Sequence, residues 1–377
     1  MKRFFFSLMS LFLASHVAAA PIVVTDVMGR EITLDQPAHR IILTQARHMP
    51  VLALLHPDPV SLIAGWSDEF KTSFANEYEE YKAVFPAISD IPVVGRHTAD
   101  SFSVEQSLAL RPDLVVLTSR FAGLLPGQDP NDSELIRRFD RAGVPVLIVD
   151  FFMDPLNNTV PSLQALGSAI GADARAQEFI EFYQSQMAQV QERLQDLEPE
   201  SFPPVFVHAH AGSTDCCNSP GTGTFNDMIR FAGGHNIGAD VLKTPTGNVN
   251  YEYINSRNPN VYIATGTGAQ RRNQAGGLAI GTGIEATEAR QSLAHIVQAN
   301  RLQHINAVQH HNAHGIWHAF NDSPLHMIFI QALAGWIHPE RMQGISAQHT
   351  LEEVNQRFLT VPMRGTYLID LDGSKEP

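Results

Sequence analysis

Apolar and polar positions along this chain follow two rhythms. Short, nearly unbroken apolar runs recur at residues 40–44, 62–65, 114–118 and 144–150, and again at 205–208 and 260–264. Runs of that length suit parallel strands covered on both faces. Segments with helical spacing stand between or after them, at 103–110, 132–142, 225–232, 323–336 and 351–358. Strand alternating with helix predicts an α/β protein. The longest periodic stretch begins at Ala174 and sets apolar side chains at Ala176, Phe179, Ile180, Tyr183, Met187, Val190, Leu194 and Leu197. That three-four spacing predicts one long helix, stopped by Pro199, Pro203 and Pro204. Ahead of all these, Val23-Val24 and Glu31-Ile32-Thr33-Leu34 flank Asp26-Val27-Met28-Gly29-Arg30, a strand-turn-strand with Gly29 available for positive φ.

The two halves echo each other. Ser103-Val104-Glu105 leads into Arg111-Pro112-Asp113-Leu114, and Asn250-Tyr251-Glu252 leads into Asn258-Pro259-Asn260-Val261. In each case a glutamate sits in the first turn of a helix that a proline ends, and a strand follows. The expected layout is an N-terminal α/β lobe over 20–153, a linker with the long helix over 154–199, and a C-terminal α/β lobe over 200–377. A glutamate in a first turn also offsets the helix dipole by about 0.3–1 kcal/mol. That accounts for one glutamate better than for the paired placement.

The extreme N-terminus reads differently. Lys2 and Arg3 precede an apolar run over 4–13, and Val17-Ala18-Ala19-Ala20 follows. This is the order of a secretory signal peptide, with cleavage after Ala19. The run is shorter than the roughly 20 apolar residues a span needs. No cysteine lies near the cleavage site, so a lipid-anchored start is not expected. With 26 basic and 39 acidic residues the formal charge is −13, which argues against a nucleic-acid partner. The two cysteines are adjacent, Cys216 and Cys217, so there is no disulfide scaffold. In an oxidising compartment they either close a vicinal disulfide or line a cleft as two reduced thiols.

With the signal, Asp26–Arg30 and Arg40-Ile41-Ile42, the Val93-Val94-Gly95 stretch, the two Glu/Pro units, Ala142-Gly143-Val144-Pro145-Val146 and Ala232-Gly233-Gly234-His235-Asn236-Ile237, the chain resembles the periplasmic substrate-binding proteins of ABC importers. The likeness is to the helical-linker class that serves ferric siderophores, haem and cobalamin. It covers most of the mature chain; the glycine-rich stretch 266–300 departs from the pattern. The resemblance implies two Rossmann-like lobes with central parallel sheets, joined by one long linker helix, with a ligand cleft between them. It implies a periplasmic monomer that hands an iron chelate to an inner-membrane permease and its ATPase. It also implies that Glu105 and Glu252 face arginines of that permease, a two-point electrostatic register.

Open parallel sheets hold ligands beyond the carboxyl ends of their strands. That rule nominates Arg47 and His48, then Trp66, Arg96, Arg120 and Phe121 in the first lobe. In the second it nominates His210, Trp317 and His318. Guanidinium groups fork onto the carboxylate or catecholate oxygens of an anionic ferric chelate, and the resemblance makes Arg120 the foremost of them. Aromatic rings suit a planar chelator. Seventeen histidines, with His310, His311, His314 and His318 close together, keep a free transition metal in view as the ligand. Haem is the other alternative. No HExxH, zinc-type cysteine spacing, GxSxG or phosphate-loop pattern occurs, so the expectation is a binder needing no cofactor; a secreted metal-dependent hydrolase is the reading from another class.

Overall fold

The computed structural model describes residues 20–96, 98–125, 127–213, 216–267 and 276–373. The expected signal over 1–19 lies outside the described residues. The first described element is the antiparallel hairpin β1 (Ile22–Thr25) and β2 (Glu31–Leu34), turned at Gly29 with φ +78°. Five strands then build a parallel sheet: β3 (Ile41–Leu43), β4 (Ile63–Ser67), β5 (Val93–Gly95), β6 (Leu114–Leu117) and β7 (Val146–Ile148), in spatial order β5-β4-β3-β6-β7. Their unbroken apolar character has a direct cause. Ile41, Leu43, Leu114, Val116 and Leu147 face one core, while Ile42, Val115, Leu117, Val146 and Ile148 face a second core on the other side. Helices cover both faces, so neither side of the pleat tolerates polar residues.

The second half repeats the plan. Strands β8 (Pro204–His208), β9 (Asn218–Pro220), β10 (His235–Asn236), β11 (Thr246–Asn248), β12 (Val261–Gly266), β13 (Gly281–Thr282), β14 (Ala313–Trp317), β15 (Gly365–Thr366) and β16 (Leu368–Asp370) follow in order. Five of them form a sheet ordered β10-β8-β12-β14-β16, in which β16 alone runs antiparallel. β9 pairs with β11, and β13 with β15, as two-stranded additions. Of the glycine-rich stretch, residues 268–275 lie outside the description; the remainder supplies β13 and the helix Ala286–Ala299.

The helix Asp173–Leu194 runs between the halves. Its 22 residues span about 33 Å at 1.5 Å per residue. Ala176, Phe179, Ile180, Tyr183, Val190 and Leu194 are buried as the spacing predicts, and Met187 packs against the same core. The helix Pro155–Ala169 lies alongside; a Cβ on Gly167 would stand 2.4 Å from Cβ of Ala176, so this crossing requires glycine. Cross-ties run along the linker helix. Arg175 donates to the carbonyl of Leu54 in the first half and to that of Arg357 in the second. The Tyr183 hydroxyl meets His326 Nε2 at 2.7 Å, and Gln331 donates to Gln186 at 2.7 Å. No described helix is long and apolar enough to cross a membrane.

Three buried histidines set an acid limit. Burial pulls His48 down to about 3, with the charge of Arg47 adding to it, and pulls His208 and His326 down to about 4. In the unfolded chain each titrates near 6.5. Between those values these three histidines bind more protons in the unfolded chain, so their contribution to stability falls as pH falls through that window. We expect the thermal midpoint to drop by more than 5 °C between pH 7 and pH 4.5, on the order of 2 kcal/mol or more. A flat calorimetric profile over that range contradicts it.

Candidate functional site

Each sheet has one place where the chain reverses its direction of strand addition. In the first it falls between β3 and β6, because β4 and β5 extend one way and β7 the other. In the second it falls between β8 and β12. Loops leaving the strand ends at such a point splay apart and leave a crevice. At the first, the hydroxyl of Thr118 donates to Gln45 Oε1 at 2.6 Å and ties the two loops together. Arg47 and Arg120 stand on those same loops. At the second, Thr265 is the knot: its Oγ1 accepts from the backbone N–H of His210 at 3.0 Å and bonds His318 Nδ1 at 2.7 Å. The rings of His210 and His318 lie 3.7 Å apart, centre to centre, and Phe225 packs 5.4 Å from His318.

The two crevices meet through a charge pair. Arg47 Nη2 contacts Glu69 at 2.5 Å within its own half, and Nη1 contacts Asp322 of the other half at 3.1 Å. Burial pulls the guanidinium down, but the attraction of Asp322 and Glu69 outweighs it and holds Arg47 above its ordinary value. Burial pushes Asp322 up; Glu69 adds to this, while Arg47 and Arg120 oppose it. Arg120 is thus within electrostatic reach of the far half while its side chain remains exposed. Further bonds close the flanks: Asn76 donates to the Thr282 carbonyl at 2.6 Å, and Thr224 donates to the Phe152 carbonyl at 2.5 Å.

The strand-end residues nominated from sequence divide into two groups. Arg47 reaches across the gap to Asp322, Arg120 stands exposed on the neighbouring loop, and His210 and His318 lie ring against ring at the second switch point. Trp66 does not: β4 runs on to Ser67, so Trp66 is a strand residue, 0% exposed and packed on Phe70 and Tyr78. Phe121 is likewise a core residue, edge-on to Phe102 at 5.6 Å. His48 is buried against Phe151, and its depressed pKa keeps it neutral. Arg96 is exposed at the end of the edge strand β5, beyond β4 and away from the switch point. Trp317 is 4% exposed, wedged edge-on to Phe74, Phe320 and Tyr367, and walls a partly open cavity beside the gap. His314 is a core group, 2.5 Å from Asp370 through Nδ1 and stacked on Trp336. Among the described residues no group of three or more His, Cys, Asp or Glu is placed to hold a metal ion.

Sequence reasoning missed Glu69, Asp322, Phe225 and Thr265. Thr265 was within reach, since it follows the apolar run 260–264 directly. Cys216 and Cys217 are joined as a vicinal disulfide, and Cys217 is buried with backbone bonds to Val249.

Glu105 lies in the first turn of the helix Val104–Ala109, capped by Ser103, and pairs with Arg138 on the surface. Glu252 lies in the first turn of Tyr251–Arg257, capped by Asn250, and is exposed. Each helix runs back toward the start of the next strand, so both first turns sit on the face where the strands end. The residue before each proline, Arg111 or Asn258, is left-handed, with φ 49° and 45°. The echo between the halves therefore extends to backbone conformation.

A family model described as periplasmic binding protein matches residues 52–314. Among solved structures, the TroA-like periplasmic binding protein FepB from Veillonella parvula is similar with a TM-score of 0.85 and 22% identity, covering 93% of this chain and 100% of that one. The molybdate periplasmic binding protein MolA of Haemophilus influenzae is similar with a TM-score of 0.62 and 16% identity, over 89% and 97% of the two chains. Helicobacter pylori CeuE with Ni(II) bound gives 0.58 and 16%, over 89% and 95%. No curated protein sequence matches the chain.

The Arg47 pair makes an asymmetric prediction. Arg47→Met strands the buried Glu69 and the partly buried Asp322 and should cost about 2–3 kcal/mol, whereas Asp322→Asn keeps Arg47 paired with Glu69 and should cost about 1 kcal/mol. Urea denaturation measures both; equal costs contradict the arrangement.

Proposed function

The chain belongs to the periplasmic binding protein family, and from that premise we propose that it captures a ferric siderophore between its two halves and delivers it to an inner-membrane ABC permease. It is a solute-binding protein of the ABC-importer type rather than an enzyme, and its place of work is the periplasm. The observations that support the ligand class are an exposed arginine, Arg120, at one switch point and the adjacent imidazoles of His210 and His318 at the other. A guanidinium forks onto the oxygen donors of a metal chelate. Imidazole nitrogens suit the metal or its outer ligands. The structural relatives MolA and CeuE hold molybdate and Ni(II) respectively, both compact, metal-containing solutes.

The charge balance refines the ligand. Arg47 is already matched by Glu69 and Asp322, so of this pair of arginines Arg120 is the one that an incoming anion meets. One such arginine favours a chelate of low net charge over a strongly anionic one. The linker helix keeps the halves near their binding distance, and little freedom is lost on capture. Glu105 and Glu252 supply the docking points on the permease, one from each half, and the protein works as a monomer.

Titrating the protein with a ferric hydroxamate should quench tryptophan fluorescence saturably, and Arg120→Ala should weaken binding at least tenfold. A Soret band after haemin addition with no response to ferric chelates would replace the siderophore by haem. In cells limited for iron, Glu105→Ala with Glu252→Ala should abolish uptake while leaving solution binding intact. Normal uptake by that double variant would remove the docking assignment.

A further inference from the structure

A partly open cavity lies on one flank of the gap, between the helix Ala75–Val84 of the first half and residues 359–363 of the second. Its walls are the rings of Phe70, Phe74, Tyr81 and Trp317, with Leu325 and Val361 beside them. Three carboxylates line it as well: Glu77, Glu80 and Asp322. Arg47 is the one lysine or arginine among the lining residues, and it is engaged by Glu69 and Asp322. Among the described residues neither Glu77 nor Glu80 forms an ion pair.

Glu77 is held as an acceptor. The hydroxyl of Thr282 donates to its Oε1 at 2.8 Å, and the Tyr367 hydroxyl stands 2.5 Å from Thr282, so the two hydroxyls point their protons toward the carboxylate. Burial pushes Glu77 above the ordinary carboxylate range. A half-buried carboxylate without a counter-ion is unfavourable, and a cation that enters relieves it. Ring faces attract the same cation through their quadrupoles. A hydrated metal ion finds apolar walls on most sides. An ammonium with a short alkyl chain finds acceptors for its N–H groups and cover for its methylenes.

We propose that this cavity is a subsite for a primary alkylammonium group, the amine-terminated aliphatic arm of the captured solute. The inference rests on reading the gap between the halves as the solute site, from which the arm reaches this flank. Both halves contribute: Glu77, Glu80 and the Phe70–Phe74 pair come from the first, and Trp317, Thr282 and Asp322 from the second. An occupied cavity therefore bridges the lobes. It also selects among chelates of similar core by the charge of their tails.

The test uses n-pentylammonium chloride on the full chain, with n-pentanol as the neutral probe of equal length, by isothermal titration calorimetry. Pentylammonium should bind saturably and at least tenfold more tightly than pentanol, and Glu77→Gln with Glu80→Gln should remove that preference. If the double variant melts well below the parent, Glu80→Gln alone carries the test, because its carboxylate makes no hydrogen bond within the described structure. Equal binding of the two probes, or binding of neither, overturns the inference. Its failure is separable from that of the transport reading: a ferric chelate that binds while pentylammonium does not leaves the capture role standing and removes the subsite. Pentylammonium binding without any chelate binding removes the siderophore and keeps the subsite.

Discussion

The buried stripe of the helix Asp173–Leu194 is the constraint on which the rest depends. That helix contributes side chains to a core shared with both halves, and Arg175 is bonded to a carbonyl from each. Swinging one half away from the other would expose Phe179, Tyr183 and Val190 and break the Tyr183–His326 bond. Exposing large apolar side chains costs about 1.5–3 kcal/mol each, so wide opening is strongly opposed. The width of the gap is consequently set by the fold rather than by the solute. The capture proposed above would then rest on preorganisation, with little change of outer surface on loading.

What stands in the gap follows from topology. Each sheet reverses its order of strand addition once; the loops at those points carry Arg47 and Arg120 on one side and His210 on the other, where Thr265 of β12 holds His318 from the end of β14. The contact between Arg47 and Asp322 crosses the gap and uses up one of the arginines. Charge in the site is therefore mixed rather than uniformly basic. An apolar flank that Glu77 and Glu80 also line lies beside it.

Much of this architecture was legible in the sequence because burial on both faces writes itself as an unbroken apolar run. The strands β3, β6, β7, β8 and β12 stood out for that reason, as did the linker helix through its single stripe. The antiparallel β16 and the strands β9, β11, β13 and β15 did not: Asn-Ser-Pro, Thr-Gly-Asn and the two Gly-Thr pairs carry no apolar run, and in β16 only Leu368 and Ile369 are apolar. Strand ends located the loops of the site but not the direction of each side chain. Trp66 shows why: β4 is longer than its apolar run, and a residue expected in a loop points instead into the core. Arg47 and Asp322, 275 residues apart, form a pair that no local spacing encodes. Nothing in the local sequence around Glu77 and Glu80 encodes that the second half is laid over them.

The claim that solute is held between the two switch points is tested most directly by an anomalous-difference map from crystals grown with a ferric chelate and measured at the iron edge. A single strong peak in the gap, flanked by Arg120 on one side and by His210 and His318 on the other, is the predicted result. A peak on the outer surface of either half, or none in the gap when binding in solution is saturated, would contradict it.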